Sequence, residues 1–424
     1  MRRAPELLLP AGNLAKLRTA YDFGADAVYA GLPRYSLRAR NNDFRLEQLA
    51  TGIEEAHARG KQLFVAANVL PHNAKVKTFV ADMAPVIAMK PDALIMADPG
   101  LIMLVREAWP DMPIHLSVQA NTVNYAGVKF WQSLGLTRVI LSRELGLEEI
   151  AEIRQQCPDM ELEVFVHGAL CIAYSGRCLL SGYFNHRDPN QGTCTNACRW
   201  DYKVHAAGES ACGSVPRHDA ADTEYLIEEA NRPGELMPIM EDEHGTYIMN
   251  SKDLRAVEHV ARLVEIGVDS LKVEGRTKSA YYVARAAQVY RRAIDDAVAG
   301  RPFDPTLLAD LEGLANRGYT AGFLQRHHSH ETQNYLDGHS QSRQSQYVGE
   351  VLSVTDGWAQ IEVKNRFAVG DQLEIIHPSG NQVLALTAMR DGENQPVSVA
   401  AGNGVAVSIP LPAHLNGALL ARLL

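Results

Sequence analysis

The sequence predicts an α/β protein. We expect a (β/α)8-type barrel with a cysteine-rich insertion after its seventh strand, followed by a small C-terminal antiparallel β-barrel. Eight short apolar runs alternate with amphipathic segments, the pattern of parallel strands that are covered by helices. About a hundred residues separate the seventh run from the eighth. After residue 346 the apolar residues alternate with period two, which is typical of antiparallel strands.

The eight apolar runs predict the eight strands of the barrel. Amphipathic segments such as Leu46–Arg59 and Leu147–Gln156 lie between them, and glycines at 24, 60, 135 and 267 stand where helices should end. Sequence alone does not show that the sheet closes, so a doubly wound open sheet is the alternative. The runs are Glu6–Pro10, Ala25–Ala30, Gln62–Asn68, Ala93–Ala97, Ile114–Gln119, Arg138–Ser142, Glu161–Val166 and Ser270–Glu274.

The domain organisation follows from these patterns. The barrel is expected over residues 1–326, with the insertion at about 171–244. Residues 327–346 are polar and rich in His, Ser and Gln, which predicts a solvated linker, although histidines can also bind metal. Residues 347–424 form the predicted C-terminal β-barrel domain.

Composition and charge exclude several classes of protein. The 424 residues are 46% hydrophobic and 21% charged, which is typical of soluble globular chains rather than disordered or coiled-coil ones. The net charge of −9 means that any nucleic acid must meet a local basic patch. No apolar run is long enough to span a bilayer. We therefore expect a cytoplasmic protein with no membrane partner.

Four cysteines in the insertion predict a metal centre. Their spacing is C-x6-C, then fifteen residues, then C-x3-C. Four thiolates suit either Zn²⁺ or an iron–sulfur cluster, and the six-residue gap fits the usual zinc knuckle poorly. Buried free cysteines are the plain alternative. The four are Cys171, Cys178, Cys194 and Cys198.

Polar side chains stand at the ends of the predicted strands, where barrel enzymes carry out chemistry. His167 could act as an acid, a base or a supporting group, and Arg276 could bind a carboxylate or phosphate. Each one alone could equally be a helix cap or part of a structural ion pair. The candidates are Asn68, Gln119, Arg143, Glu144, His167, Glu274 and Arg276.

A second basic cluster follows the second predicted strand. Arg34, Arg38, Arg40 and Arg45 alternate there with Tyr35 and Phe44. Arginine beside aromatic rings is suited to RNA phosphates and unstacked bases. The same loop could bind a small anion or be a solvated loop.

Common hydrolase and nucleotide-binding motifs are missing from the sequence. It contains no HExxH, no GxSxG, no P-loop and no GxGxxG. A zinc peptidase of the HExxH type and an elbow-type serine hydrolase are therefore not indicated.

Several long strings resemble one known family. The strings are LLLPAGNLAKLRTAYDFGADAVYAGLPRYSLRARNNDF, HGALCIAYSGRCLLSGYFNHRDPNQGTCTNACRW, DEHGTYIMNSKDL and SLKVEGRTKSAYYVARAAQVYR. They are similar to the collagenase-like peptidase family of unassigned mechanism, and within it to the subfamily of tRNA 5-hydroxyuridine synthesis proteins. The resemblance covers nearly the whole chain.

The resemblance implies a function that composition and spacing do not. It implies that the wobble uridine of tRNA is hydroxylated to 5-hydroxyuridine without O₂, with prephenate as co-substrate. It also implies dependence on the iron–sulfur assembly machinery. In the ubiquinone-hydroxylating relatives four cysteines hold a [4Fe–4S] cluster, and the matching residues here are Cys171, Cys178, Cys194 and Cys198.

Roles for other residues are expected within this function. His167, Glu144 and Glu274 are the candidates for acid–base chemistry, and Asn68 and Gln119 for substrate contacts. The expected anion-binding residues are Arg38, Arg40, Arg143 and Arg276. Two other functions stay open: a metal-dependent collagenase-like peptidase, and a non-catalytic RNA-binding protein with a structural metal site.

Overall fold

The computed structural model describes residues 3–32, 34–37, 44–170, 252–316, 318–325, 345–402 and 405–424. It also describes the backbone of five short strands between residues 202 and 246. The elements up to the seventh strand alternate regularly. They are β1 (Glu6–Pro10), α1 (Leu14–Asp22), β2 (Ala27–Gly31), α2 (Leu46–Ala58), β3 (Gln62–Ala67), α3 (Asn73–Val76), α4 (Phe79–Ala88), β4 (Ala93–Met96), α5 (Pro99–Ala108), β5 (Ile114–Leu116), α6 (Tyr125–Ser133), β6 (Arg138–Ile140), α7 (Leu147–Gln156) and β7 (Glu161–Ala169).

The later elements fall into three groups. The insertion contains β8 (Tyr202–Ala206), β9 (Tyr225–Glu229), β10 (Leu236–Ile239), β11 (Glu241–Asp242) and β12 (Gly245–Thr246). The chain then forms β13 (Asp253–Arg255), α8 (Val260–Ile266), β14 (Ser270–Val273), α9 (Ala280–Val298), α10 (Thr306–Glu312) and β15 (Tyr319–Thr320). The C-terminal strands are β16 (Ser345–Thr355), β17 (Trp358–Val363), β18 (Phe367–Ala368), β19 (Gln372–Ile376), β20 (Gln382–Ala385), β21 (Val399–Ala400), β22 (Ala406–Pro410) and β23 (Leu419–Leu423).

The parallel sheet closes into a barrel. Strands β1 to β7 pair in order, and β14 pairs with both β1 and β7. All eight strands come from the predicted apolar runs, so the barrel prediction is confirmed and the open sheet is wrong. The strands are buried on both faces by side chains and helices, as their continuous apolar runs require. Their carboxyl ends meet at one face, which we call the mouth.

Glycines and polar caps set the helix boundaries as predicted. Gly24, Gly60, Gly135 and Gly267 have positive φ and stand just after helices, where a left-handed residue stops the helix. Asn13 caps the amino end of α1 by accepting a hydrogen bond from the Lys16 amide at 3.0 Å. These local signals fix where each helix ends and the next strand begins.

The chain leaves the barrel after β7, as expected for an insertion at this point. Strand β13 returns antiparallel to the end of β7 and extends the sheet, followed by β15. Neither of these two strands was predicted, because each has only two or three residues. The proposed bounds of the insertion and of the 327–346 linker lie largely outside the described residues.

The C-terminal region forms the predicted antiparallel sheet. Six strands pair in the order β20-β19-β23-β16-β17-β22, giving a half-barrel with its own hydrophobic core. Buried Arg285 of α9 forms an ion pair with Glu374 of β19, and Tyr281 stacks on Tyr347 at 5.3 Å. The helix that follows the last barrel strand therefore also packs against this sheet.

No helix in the described parts of the chain is long and apolar enough to cross a bilayer.

Candidate active site at the barrel mouth

Cations and aromatic rings alternate at the carboxyl ends of four strands. The Arg143 guanidinium lies 3.9 Å from the centre of the Phe165 ring. Lys272 Nζ lies 5.5 Å from the same ring and 4.4 Å from the Tyr29 ring. A cation above an aromatic face is stabilised by the ring quadrupole. The stack therefore holds positive charge in a largely buried place.

Glu274 faces this stack from the end of β14. Its Oε2 is 3.3 Å from the Tyr29 hydroxyl and 3.7 Å from Arg143 Nη2. Burial raises the pKa of Tyr29 well above its usual value, so the hydroxyl stays protonated. Its single proton has two acceptors, Glu274 Oε2 and the Val273 carbonyl, which is closer at 3.0 Å. Within the described residues, Arg143 makes this loose ion pair but no hydrogen bond. Its N–H groups can therefore donate to an incoming carboxylate.

Arg276 is held more tightly on the other side of Tyr29. It is 6% exposed, and its Nη1 donates to Ser36 Oγ at 2.5 Å. The guanidinium passes so close to Gly31 that a Cβ there would lie 2.1 Å from Nη1. Gly31 is thus required by the path of the arginine, and the loop after β2 is tied to the loop after β14.

Two amide side chains lie near each other across the mouth. Asn68 Nδ2 donates to Ser117 Oγ at 3.2 Å, and the Gln119 backbone N–H approaches the same oxygen at 3.3 Å. Gln119 Oε1 is buried and has no hydrogen-bond partner in the part of the chain that the structure describes. An unpaired buried acceptor costs about 1–3 kcal/mol, so a ligand N–H would stabilise it.

His167 points away from the mouth cations. The pairing of β7 with β14 shifts so that Lys272 lies opposite Phe165 but Val273 lies opposite His167, and a bulge of this kind redirects a side chain. The His167 ring is 1% exposed and packs against Tyr282 and Tyr290 of α9, with ring centres 5.7 and 5.5 Å away.

The hydrogen bonds of Tyr290 fix the tautomer of His167. The Tyr290 hydroxyl donates to the Val166 carbonyl at 2.7 Å, so its contact of 3.3 Å with His167 Nδ1 requires a proton on Nδ1. Burial, helped by Lys278 and Arg255, lowers the pKa of His167 to about 3. The ring is therefore neutral near pH 7, with an unprotonated Nε2. In this state Nε2 can accept a hydrogen bond, but near pH 7 the ring neither donates a proton as a general acid nor takes one up.

The remaining predicted residues are placed as follows. Glu144 is hydrogen-bonded to the Ser142 hydroxyl, and among the described residues no hydrogen bond joins it to His167 or Glu274. The mouth thus brings together Arg143, Glu274 and Arg276 around Tyr29, with Asn68 and Gln119 elsewhere on its rim. Six predicted residues lie outside the described residues: Arg38, Arg40, Cys171, Cys178, Cys194 and Cys198.

The barrel also contains a charged network that was not predicted from the sequence. Lys272 Nζ donates to Glu163 at 2.7 Å, and Arg138 binds both Glu163 at 3.1 Å and Glu6 at 2.7 Å. We call these four residues the floor network. Arg138 begins a predicted strand, and Glu163 and Lys272 each lie between two apolar residues of theirs. A charge inside such a strand was the available signal.

The described residues contain no group of three or more His, Cys, Asp or Glu side chains able to hold a metal. The four-cysteine segment begins two residues after β7 ends at the mouth. The chemistry of that donor set, four thiolates, suits an iron–sulfur cluster.

Comparison with known proteins gives consistent matches along the chain. The chain is 60% identical to tRNA hydroxylation protein P of Escherichia coli, over 99% of this chain and 96% of that protein. It is 57% identical to tRNA hydroxylation protein P of Haemophilus influenzae over the same shares. It is also 28% identical to the E. coli 23S rRNA 5-hydroxycytidine C2501 synthase, over 92% of this chain and 55% of that protein.

Family models cover both parts of the chain. The model for peptidase family U32 matches residues 12–334, and the model for the family's C-terminal domain matches residues 343–422. These matches agree with the family suggested by the sequence strings. The chain belongs to peptidase family U32.

Proposed function

We propose that this protein hydroxylates the wobble uridine of tRNA at C5, giving 5-hydroxyuridine without O₂. The observation that carries the proposal is the 60% identity, over 99% of the chain, to a protein named for tRNA hydroxylation. The similarity to a 5-hydroxycytidine synthase extends this support to C5 of a second pyrimidine. The proposal includes prephenate as co-substrate and a [4Fe–4S] cluster held by Cys171, Cys178, Cys194 and Cys198.

The mouth offers groups for a small carboxylic acid. Arg143 and Lys272 present two cations over the Phe165 ring, and Arg276 adds a third beyond Tyr29. Arginine binds carboxylates through two parallel hydrogen bonds. We assign the carboxylates of prephenate to Arg143 and Arg276, with Lys272 as a supporting charge.

The mouth also offers groups for the base. Gln119 Oε1 lacks a partner among the described residues and can accept from an N–H of the uracil edge. Asn68 Oδ1 accepts from the Leu37 amide and Nδ2 donates to Ser117, so Asn68 has its second Nδ2 hydrogen for a uracil carbonyl.

Replacing C5–H by C5–OH is a two-electron oxidation of the base, and the prephenate-derived donor of the proposal would supply both the oxygen atom and the oxidising equivalents. The hydrogen on C5 would leave as a proton. Glu274, which lies beside the Tyr29 hydroxyl and Arg143, is the carboxylate we assign to accept it. Glu144 stays a secondary candidate for moving protons, and the neutral His167 can accept a hydrogen bond at Nε2.

The cysteine segment would hold the cluster beside this mouth. A bound iron–sulfur cluster supplies one-electron transfer. The chain's own contribution is to bind and orient the two substrates and to exclude water from the buried cations.

The experiment is nucleoside mass spectrometry of bulk tRNA from a strain that lacks the gene and is grown without O₂. We expect 5-hydroxyuridine and its derivatives to be lost and to return with the wild-type gene. Cys171→Ala should not restore them. Cys157→Ala, which removes a buried free cysteine outside the four, should restore them.

One result would contradict the proposed function, and another would contradict the proposed role of the cluster. Unchanged 5-hydroxyuridine in the deletion strain would contradict tRNA hydroxylation, and hydrolysis of gelatin by the zinc-bound protein would then favour the peptidase. Full restoration by Cys171→Ala would remove the cluster's role.

A further inference from the structure

Two neighbouring loops at the mouth concentrate positive charge. The loop from β2 to α2 and the loop from β3 to α4 leave adjacent parallel strands at the same face. Together they hold six of the chain's 41 Lys and Arg but only one of its 50 Asp and Glu, Asp43. The surrounding protein is net acidic. The six are Arg34, Arg38, Arg40, Arg45, Lys75 and Lys77.

Buried Tyr35 joins these loops into one surface. Its hydroxyl donates to Asp82 at 2.5 Å and lies 3.2 Å from Thr78 Oγ and 3.4 Å from the Lys75 carbonyl. Its own carbonyl accepts from the Val69 amide at 3.1 Å. Because both loops are tied to the same residue, their described parts keep a fixed arrangement around Tyr35.

The charges on this surface are only partly neutralised. Arg34 forms an ion pair with Asp82 at 2.6 Å. Arg45 and Lys77 are exposed and have no ion pair within the described residues. Lys75 is half-buried in the short helix α3, two positions after its start. We define Arg34, Arg45, Lys75 and Lys77 as the basic rim.

We propose that the basic rim binds the sugar–phosphate backbone of the tRNA next to the target base. The inference rests on the proposed function and adds the surface that receives the RNA. Since the chain as a whole is acidic, an RNA must meet a locally positive surface. The rim lies at the catalytic face, and Asn68, assigned to the base, begins one of its two loops. Arg143 and Arg276 are too buried to reach a backbone phosphate, so exposed cations must do so.

The test compares two charge-matched double variants. Lys75→Gln/Lys77→Gln removes two rim charges. Lys61→Gln/Lys90→Gln removes two charges from loops at the opposite face, before β3 and β4. The affinity of the full-length protein for unmodified tRNA is measured between 50 and 200 mM salt, and the logarithm of the binding constant is plotted against the logarithm of the salt concentration. Each lost phosphate contact lowers the magnitude of this salt slope by about 1. We expect the slope to fall by about 2 for the rim variant and to stay unchanged for the control.

Each result bears on the proposal. Two results would contradict tRNA binding by the basic rim. One is an equal salt slope for both double variants and the wild type, and the other is an equal decrease of the slope in the two variants. If the double variant fails to fold, Lys77→Gln alone should lower the slope by about 1. Failure of the proposed function is seen separately. Unchanged 5-hydroxyuridine in the deletion strain contradicts the function, whereas normal tRNA binding by the rim variant contradicts only the rim.

Discussion

The floor network and the mouth group, which is Arg143, Glu274 and Gln119, lie in one barrel, but their polar side chains are partnered differently. In the floor network Arg138, Glu163, Glu6 and Lys272 each have an opposite charge within 3.1 Å. At the mouth the nearest described carboxylate to Arg143 is 3.7 Å away. Gln119 Oε1 has no partner among the described residues.

This difference separates stability from function. Buried charges that satisfy one another need no ligand, and removing one leaves its partner buried and unpaired. Buried cations that face a loosely held carboxylate keep binding capacity. The floor network should therefore govern folding, and the mouth group should govern catalysis. The variants below test that division.

Arg138→Met should have the largest effect on stability. It leaves Glu6 and Glu163 buried in the barrel without their shared cation. Breaking a buried ion pair costs about 3–5 kcal/mol, and urea unfolding at pH 7 measures it. Arg18→Met is the matched control, because it breaks an ion pair with Glu55 that is half exposed on the Arg18 side. The control should lose less than about 1 kcal/mol. If both variants lost a similar amount of unfolding free energy, the floor network would not be more important for stability than a surface ion pair.

Arg143→Gln should have a small effect on stability and a large effect on activity. It removes a cation whose described partners are one aromatic ring and one distant carboxylate, so the free energy of unfolding should change by about 1 kcal/mol or less. Hydrogen bonds to charged groups contribute about 1.5–3 kcal/mol. We therefore expect the co-substrate concentration needed for half-maximal 5-hydroxyuridine formation to rise about 10- to 100-fold.

The requirement for tRNA should not change in Arg143→Gln, which separates a co-substrate contact from an RNA contact. A variant that unfolds like Arg138→Met, or one that needs more tRNA but no more co-substrate, would contradict the assignment of Arg143.

Gly31→Ala tests the contact between Arg276 and Ser36 at the mouth. The new Cβ would lie 2.1 Å from Arg276 Nη1 and 2.6 Å from Ser36 Oγ, so the arginine must leave its hydroxyl partner. Overpacking of this kind costs about 1–3 kcal/mol. We expect a loss of that size in urea unfolding, together with reduced activity. Gly60→Ala is a poor control because Gly60 has positive φ, whereas Gly392→Ala meets open space. No loss in Gly31→Ala would mean that Arg276 is not fixed by this contact.

The sequence predicted the fold better than it predicted the contacts of the site. The eight strands follow from apolar runs and the helix ends from glycines, because those signals are local. The floor network joins residues more than a hundred positions apart, such as Glu6 and Arg138, and no local pattern pairs them. The orientation of His167 depends on a one-residue shift between β7 and β14. Periodicity places that residue at a strand end but does not show the face on which it lies.

The His167 ring has one nitrogen with a hydrogen-bond partner and one without. Nδ1 donates to Tyr290, whereas Nε2 has no partner among the described residues. Its pKa in the folded protein is about 3, below the value of about 6.5 expected in the unfolded chain. Between these values the unfolded chain binds a proton that the folded protein does not. Stability should therefore fall as the pH drops from about 6.5 toward 3, by about 1.4 kcal/mol per pH unit from this group.

His167→Gln should remove this part of the pH dependence. Burial also lowers the pKa of His115 in the barrel, so the variant should keep a shallower slope rather than none. Urea unfolding at pH 7, 6 and 5 measures the difference, with His57→Gln, an exposed ring, as the control. Equal slopes for His167→Gln and the wild type would mean that His167 is protonated in the folded state. That result would return the ring to the candidates for a general acid, and the tautomer fixed by Tyr290 would no longer limit its role.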